Sequence, residues 1–356
     1  MTKHNFYAGP AILPKSVLQK ASQAILNFSD MDLSLLEISH RSKQFEAVMD
    51  ESKSLILEIM NLRDDYDVLF MGGGASSQFF MVPMNILKDD ETACYVNTGT
   101  WASGAIKEAR LFGNVNVLAS SEDDHFRHIP KGFTIPSDAA YLHLTSNNTI
   151  YGSQYQSFPD SPIPLFCDMS SDIFSKRLDF SKFDLIYAGA QKNLGPAGVT
   201  IVVLKKSLIG RSARKLPTML NYKSFSEKGS MYNTPPVFPI YVTMLTLQWI
   251  KEIGGLEVVE NRNRAKAECL YNEIDRNSCF YGTVEKNDRS WMNVVFVPNN
   301  PEHENLFLEA CKAEGCVGLA GHRSVGGFRA SLYNALELKS VQVLVDVMKR
   351  FEEKYA

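Results

Sequence analysis

Lys192 stands in the stretch Asp184-Leu185-Ile186-Tyr187-Ala188-Gly189-Ala190-Gln191-Lys192-Asn193-Leu194-Gly195. The apolar run Leu185–Ala188, bounded by Asp184 and Gly189, reads as a buried strand followed by small residues. The lysine therefore sits just past a strand's carboxyl end, the edge at which open parallel sheets bind ligands. A partly dehydrated lysine there can lose its proton and attack a carbonyl to form a Schiff base. Taken singly, such a lysine is simply a solvated strand end, so its neighbours along the chain decide the matter.

Asp168 ends a second apolar strand, Pro164-Leu165-Phe166-Cys167-Asp168. A carboxylate at that place can partner an aromatic cation such as a protonated pyridine, and without a partner its burial is costly. The turn Met71-Gly72-Gly73-Gly74-Ala75-Ser76-Ser77-Gln78 joins a strand to a helix. Small residues there let backbone N–H groups approach an anion, with the helix dipole adding to them. The turn matches neither the dinucleotide fingerprint nor the P-loop, which makes it a phosphate cradle by mechanism alone. Trp101 opens a helix after Tyr95–Thr100 and can stack on a planar ring. Thr149, beyond a strand at 140–145, can reach a ring hydroxyl. Each of these has an ordinary structural explanation in isolation. Together a phosphate cradle, a stacking ring, an acid partner and a Schiff-base lysine are what pyridoxal 5'-phosphate requires.

The elements that must position this set follow from the hydrophobic pattern. Strand-like runs occur at 66–71, 92–97, 140–145, 163–168, 184–188 and 199–204, with helical patterns at 77–88 and 101–112 among them. That alternation predicts an α/β fold with a mainly parallel sheet and helices on both faces. Pro14 opens a helix with Leu18, Ala21, Ile25 and Phe28 inward, and a second helix turns Phe45, Val48, Leu55, Ile56 and Ile59 inward. After Gly254-Gly255 come a helix at 256–277, a strand near 291–297, a helix near 303–314, a strand near 328–333 and a closing helix near 338–354. We expect a large cofactor-binding domain over 15–256 and a smaller α+β domain built from 1–14 and 257–356.

With 45% hydrophobic and 22% charged residues, the composition is that of an ordinary globular protein. A net charge of -3 gives no reason to expect nucleic acid or an anionic membrane as partner. The basic stretch Arg211-Ser212-Ala213-Arg214-Lys215 lacks interleaved aromatics and reads as a solvated loop. The start of the chain has no signal-peptide pattern, and Val237–Ile250 is too short and too polar to span a bilayer, so a cytoplasmic location is expected. The six cysteines show no metal-ligand spacing, and no metal is expected.

These residues give the chain a resemblance to the phosphoserine aminotransferases, a family of fold-type I pyridoxal-phosphate enzymes. The resemblance runs nearly end to end. It includes Gly9-Pro10-Ala11, Ser39-His40-Arg41-Ser42, Gly73-Gly74-Ala75-Ser76, Tyr187–Asn193, Gly229–Pro236 and Gly321–Ala335. It implies that Lys192 carries the cofactor and that Asp168 pairs with the pyridine nitrogen. Trp101 would lie on the ring, Thr149 near the ring hydroxyl, and Ala75, Ser76 and Gln191 on the phosphate. Asn233 and Thr234 would complete the phosphate site from the other subunit of a homodimer. Arg329 would hold the substrate α-carboxylate, and His40, Arg41, His322 and Arg323 the substrate's phosphate or the distal carboxylate of glutamate. The implied reaction moves the amino group of glutamate onto 3-phosphohydroxypyruvate, giving phosphoserine and 2-oxoglutarate. A phosphorylated hydroxythreonine of vitamin B6 synthesis is a further substrate in bacterial members. Two cationic clamps suit a substrate with two anionic ends, whereas alanine would need one. The chain departs from the pattern at Ser76, where some members carry an arginine.

Other readings stay open on the sequence. An alanine- or serine-glyoxylate-type aminotransferase would use the same scaffold. A cysteine desulfurase would need a mobile nucleophile, but the setting of Cys311 and Cys316, Leu308–Cys316, reads as a helix ending at Gly315, which makes them structural thiols. A cofactor-free Schiff-base aldolase would leave the protein colourless. A non-catalytic scaffold would leave the polar strand ends without a use.

Overall fold

A computed structural model describes residues 2–356. Seven strands form the central sheet: β1 (Tyr66–Met71), β2 (Thr92–Asn97), β3 (Asn114–Ser120), β4 (Tyr141–Thr145), β5 (Leu165–Asp168), β6 (Leu185–Gly189) and β7 (Thr200–Lys205). Their spatial order is β1-β7-β6-β5-β4-β2-β3. β7 runs antiparallel to both of its neighbours, while the five strands from β6 to β3 are parallel. The sheet is thus the mainly parallel one that the strand and helix alternation predicts.

Register explains why the chemistry gathers at one edge. Thr200, the first residue of β7, is the partner of both Met71 and Gly189, the last residues of β1 and β6. Asp168 pairs with Thr145 on one side and with Tyr187 on the other. The glycine turn, the Thr149 loop, the Asp168 loop and the Lys192 loop therefore leave the sheet side by side.

Successive strand residues alternate between two cores, as the pleat requires. Val68, Phe70, Leu142, Leu144, Ile186 and Ala188 face the helices Lys15–Leu26, Lys43–Met60 and Val237–Glu252. Leu69, Met71, Tyr95, Tyr141, Phe166 and Tyr187 face Ser76–Ile86 and Thr100–Ala109. A third core lies under the three-stranded antiparallel sheet of Phe280–Gly282, Asn293–Pro298 and Phe328–Ser331, between the helices Gly255–Arg276, His303–Ala313 and Leu338–Tyr355. The strand His4–Asn5 pairs with Cys316–Val317, so the N-terminal arm crosses to this last segment.

Three expectations need correction. The first helix buries Val17, Ala21 and Ala24, while Leu18 and Ile25 are exposed. The small Ala21 and Ala24 let this helix approach Val237–Glu252, and that close approach outweighs side-chain size in choosing the face. Strand β3 has no counterpart among the predicted runs. It is one of the sheet's two outer strands and, unlike β1, has no buried residue, so its apolar pattern is weak. Finally, Arg211–Lys215 is no solvated loop. Arg211 holds Glu91 through both guanidinium ends (2.5 and 2.8 Å), and Arg214 donates to Leu87 O at 2.5 Å. The two arginines bind the carbonyls that end the helix Ser76–Ile86.

Candidate active site

The strand ends open into a cavity of about 390 Å3. It brings together Ala75, Ser76, Trp101, Thr149, Asp168, Gln191, Lys192, His322 and Arg329, with Ala8, Gly9, Asn147, Ser170 and Ser171 among the other residues of the wall.

Burial pushes the Lys192 amine down from its ordinary value to about 8, against the Asp168 carboxylate, while Arg329 adds to the lowering. Lys176 and Lys266 are likewise lowered by burial, Lys266 to about 7. Those two, however, use their protons on carbonyls: Lys176 on Tyr155 O, and Lys266 on Leu332 O and Tyr333 O, all at 2.7 Å. Lys192 Nζ makes no such bond among the described residues and stands 5.8 Å from the centre of the Trp101 ring. A lowered pKa, an uncommitted amine and a cavity coincide only at Lys192.

Asp168 is 6% exposed, and burial raises its carboxyl above the usual range despite two bonds that favour the ionised form. Ser170 supplies both, its N–H at 2.9 Å and its hydroxyl at 2.6 Å, and both fall on Oδ1. Among the described residues no donor reaches Oδ2. A buried carboxylate with one oxygen fixed and the other turned to a cavity fits a protonated ring nitrogen.

The Trp101 indole donates to Thr149 Oγ1 at 2.9 Å, which leaves the threonine proton for a ligand oxygen. Arg329 Nη1 donates to Thr149 O at 3.0 Å, while its buried Nε lacks a partner. A half-buried guanidinium with an unused donor suits a carboxylate. Gly73 and Gly74 adopt φ of +91° and +70°, and this left-handed turn starts the helix Ser76–Ile86. Its first N–H groups point outward for an anion. The cradle, the half-satisfied carboxylate, the Trp101 ring on the cavity wall and the free amine together fit pyridoxal phosphate.

The distal anion site is less complete. His322 lines the cavity and donates to or accepts from Ser324 Oγ at 2.7 Å, but Arg323 is exposed and lines no part of it. His40 and Arg41 also lie outside the cavity. The His40 Nε2 atom is buried without a partner, and Arg41 is exposed. Asn233 and Thr234 are exposed as well and contribute nothing to this chain's own cavity.

Asn147, Ser170 and Ser171 line the cavity although no role was read for them in the sequence. Their signal was proximity to Thr149 and Asp168 within the same motifs. Cys311 and Cys316 are 1% and 3% exposed, and burial pushes both thiols upward, so neither is a mobile nucleophile. Asp124, His128 and Glu285 form a surface group whose ligand atoms could approach one metal ion, but none of them lines the cavity.

The class-V aminotransferase family model matches residues 3–344. A phosphoserine aminotransferase of Flavobacterium psychrophilum is 59% identical, covering 99% of this chain and all of the relative. Among solved structures, the phosphoserine aminotransferase from Bacillus circulans subsp. alkalophilus superposes with a TM-score of 0.97 at 47% identity, over 100% of this chain and 99% of that one. The pyridoxal-phosphate-bound phosphoserine aminotransferase from Trichomonas vaginalis gives 0.93 at 33% identity, covering 98% of this chain and all of the other. The chain belongs to the class-V aminotransferases and, within them, to the phosphoserine aminotransferase family.

Proposed function

We propose that the chain transfers the amino group of L-glutamate to 3-phosphohydroxypyruvate, forming O-phospho-L-serine and 2-oxoglutarate, with Lys192 as its central residue. The observation that carries the reading is the meeting, in one cavity, of an uncommitted lysine, a half-satisfied buried Asp168 and an under-used Arg329.

Pyridoxal phosphate, when bound, supplies an electron-withdrawing ring that stabilises negative charge at the substrate Cα. Lys192 would hold it covalently, Asp168 Oδ2 would keep its nitrogen protonated, and the Thr149 hydroxyl would donate to its ring oxygen. The N–H groups of Ala75 and Ser76, with the side chain of Gln191, would hold its phosphate, and Trp101 would cover one face. Arg329 would fix the α-carboxylate and so orient the Cα–H bond. With a pKa near 8, Lys192 is matched to take that proton and return it at neutral pH.

The second clamp and the cofactor phosphate site both favour a shared active site. His40, Arg41, Asn233 and Thr234 do not reach this chain's own cavity, so in our reading they serve the cavity of a second copy in a homodimer. Mixing Lys192→Ala protein with Asn233→Ala/Thr234→Ala protein should restore activity in hybrid dimers under conditions of subunit exchange. A fully active monomer would end the shared-site reading.

The substrate assignment is tested by half-reactions. The holoenzyme's visible absorption band should change on mixing with phosphoserine or glutamate and persist with alanine, which has no distal anion. An equal response to alanine would instead favour a glyoxylate-type aminotransferase. The same assay with phosphorylated hydroxythreonine decides whether the chain also serves the vitamin B6 step.

A further inference from the structure

Two buried asparagines join the walls of the cavity. Asn147, 2% exposed, donates from Nδ2 to Ser171 Oγ and to Asn293 Oδ1, both at 2.8 Å, and accepts from Ser290 Oγ at 2.5 Å. Asn293, fully buried, donates from Nδ2 to Ser331 Oγ at 3.0 Å and to the Tyr333 hydroxyl at 3.2 Å. The Tyr333 hydroxyl in turn donates to Ala8 O at 2.8 Å. The chain of bonds therefore runs from the loop after β4, through the C-terminal sheet, to the N-terminal arm.

Arg329 lies between its anchor points. Its strand pairs with that of Asn293, in the register Asn293 with Ser331 and Val295 with Arg329. Its guanidinium donates to Thr149 O, two residues after Asn147. Asn293 thus grips the arginine's strand with its amide nitrogen and the threonine's loop with its amide oxygen. Turning the amide over would set two NH2 groups against each other at Asn147, so one orientation is selected. An apolar pair of similar volume would fill the space without fixing the offset between strand and loop.

We propose that Asn293 is a positioning residue: it sets Arg329 against the Thr149 loop, and so sets the α-carboxylate clamp against the cofactor site. The assignment rests on the transaminase reading above, and the ligands of the test separate the two. Holoenzymes of the wild type, Asn293→Ala and the shape-preserving Tyr333→Phe are titrated by calorimetry with glutarate, which carries carboxylates but no amine. Propyl phosphate, which has only the distal type of anion, is the second ligand. Misplacing a clamp by a fraction of an ångström should weaken glutarate at least about tenfold in Asn293→Ala. Tyr333→Phe should shift it in the same direction by a smaller factor. Propyl phosphate should stay within about twofold of wild type in both variants, because its site does not pass through this network. Equal losses for both ligands would show a merely structural amide and overturn the assignment, as would unchanged glutarate binding in Asn293→Ala. If the wild type bound neither ligand, the transaminase reading would fall first and the role of Asn293 with it.

Discussion

Asp168 and Arg41 are both charged side chains assigned to one reaction, yet the protein treats them differently. Asp168 is 6% exposed, ends a sheet strand and is bonded twice by Ser170. Arg41 is exposed on a loop, with no described ion pair. The same contrast separates the whole cofactor wall from the distal-anion wall. Asp168, Thr149 and Trp101 are held beside the strand ends by hydrogen bonds, with the desolvated Lys192 amine among them, whereas Arg41 and Arg323 are exposed on loops. The first wall is built mainly within a single chain, with only the Asn233 and Thr234 contribution to the phosphate site left, in our reading, to a second copy. The other waits for substrate and, in our reading, for a second copy of the chain. The lesson is that burial fixes chemistry that never changes, while exposed loops hold the groups that must admit and release substrate.

Mutations across the two walls should therefore differ in size and in kind. The largest effect is expected for Lys192→Ala, which removes the only uncommitted lysine in the cavity: kcat should fall by about 10^4-fold or more in a steady-state assay. Asp168→Ala comes next, with a loss of roughly 10^2- to 10^3-fold and weaker cofactor retention on dialysis, since a fixed charge partner is gone. A wild-type rate from either variant would remove the distinction between the walls.

Arg329→Leu should weaken phosphoserine and glutamate alike, because both carry the α-carboxylate. A lost charge-assisted bond to a desolvated anion costs roughly 2–5 kcal/mol, or about 30-fold and upward in kcat/KM. Arg41→Leu and Arg323→Leu should reach a comparable loss for substrates with a distal anion and leave the cofactor in place. If both turned over phosphoserine like wild type, the distal clamp would be wrong.

Two smaller effects sharpen the comparison further. Raising salt should raise KM for phosphoserine, since exposed charges are screened over about 8–10 Å at moderate ionic strength, yet cofactor retention should not change. The pH dependence comes from Lys192 on the buried wall. Its amine is protonated below about 8 and free above it, so the apoenzyme should capture pyridoxal phosphate faster as pH rises through 8. A capture rate that fell over that interval would contradict a lysine held at the lowered value.

How much of this was legible in the sequence differs between the two walls as well. Six of the seven sheet strands announce themselves as apolar runs, because both of their faces are covered, even in the edge strand Tyr66–Met71. The seventh, Asn114–Ser120, lies at the edge with half its side chains in solvent and gives no such signal. The residues Lys192, Asp168, Thr149 and Trp101 were readable as strand-end polar or aromatic groups with a shared purpose. The first helix was read half correctly: Ala21 and Phe28 are buried as expected, but Leu18 and Ile25 are exposed where close packing selects Val17 and Ala24. Asn293 carried no signal at all. Its partners Asn147, Ser331 and Tyr333 lie up to 146 positions away, and only the folded chain brings them together. The distal clamp was legible only through family resemblance, since a His-Arg pair on a loop has no pattern of its own.

Which lysine holds the cofactor is a real choice, because burial lowers the pKa of four of them, Lys53, Lys176, Lys192 and Lys266. Borohydride reduction of the holoenzyme, followed by proteolysis and mass spectrometry of the pyridoxyl-labelled peptide, measures it directly. We expect the label on Lys192 alone, the one of the four that lines the cavity and is engaged with neither a carbonyl nor a carboxylate. A label on Lys176, on Lys266 or on any other lysine would contradict the central claim.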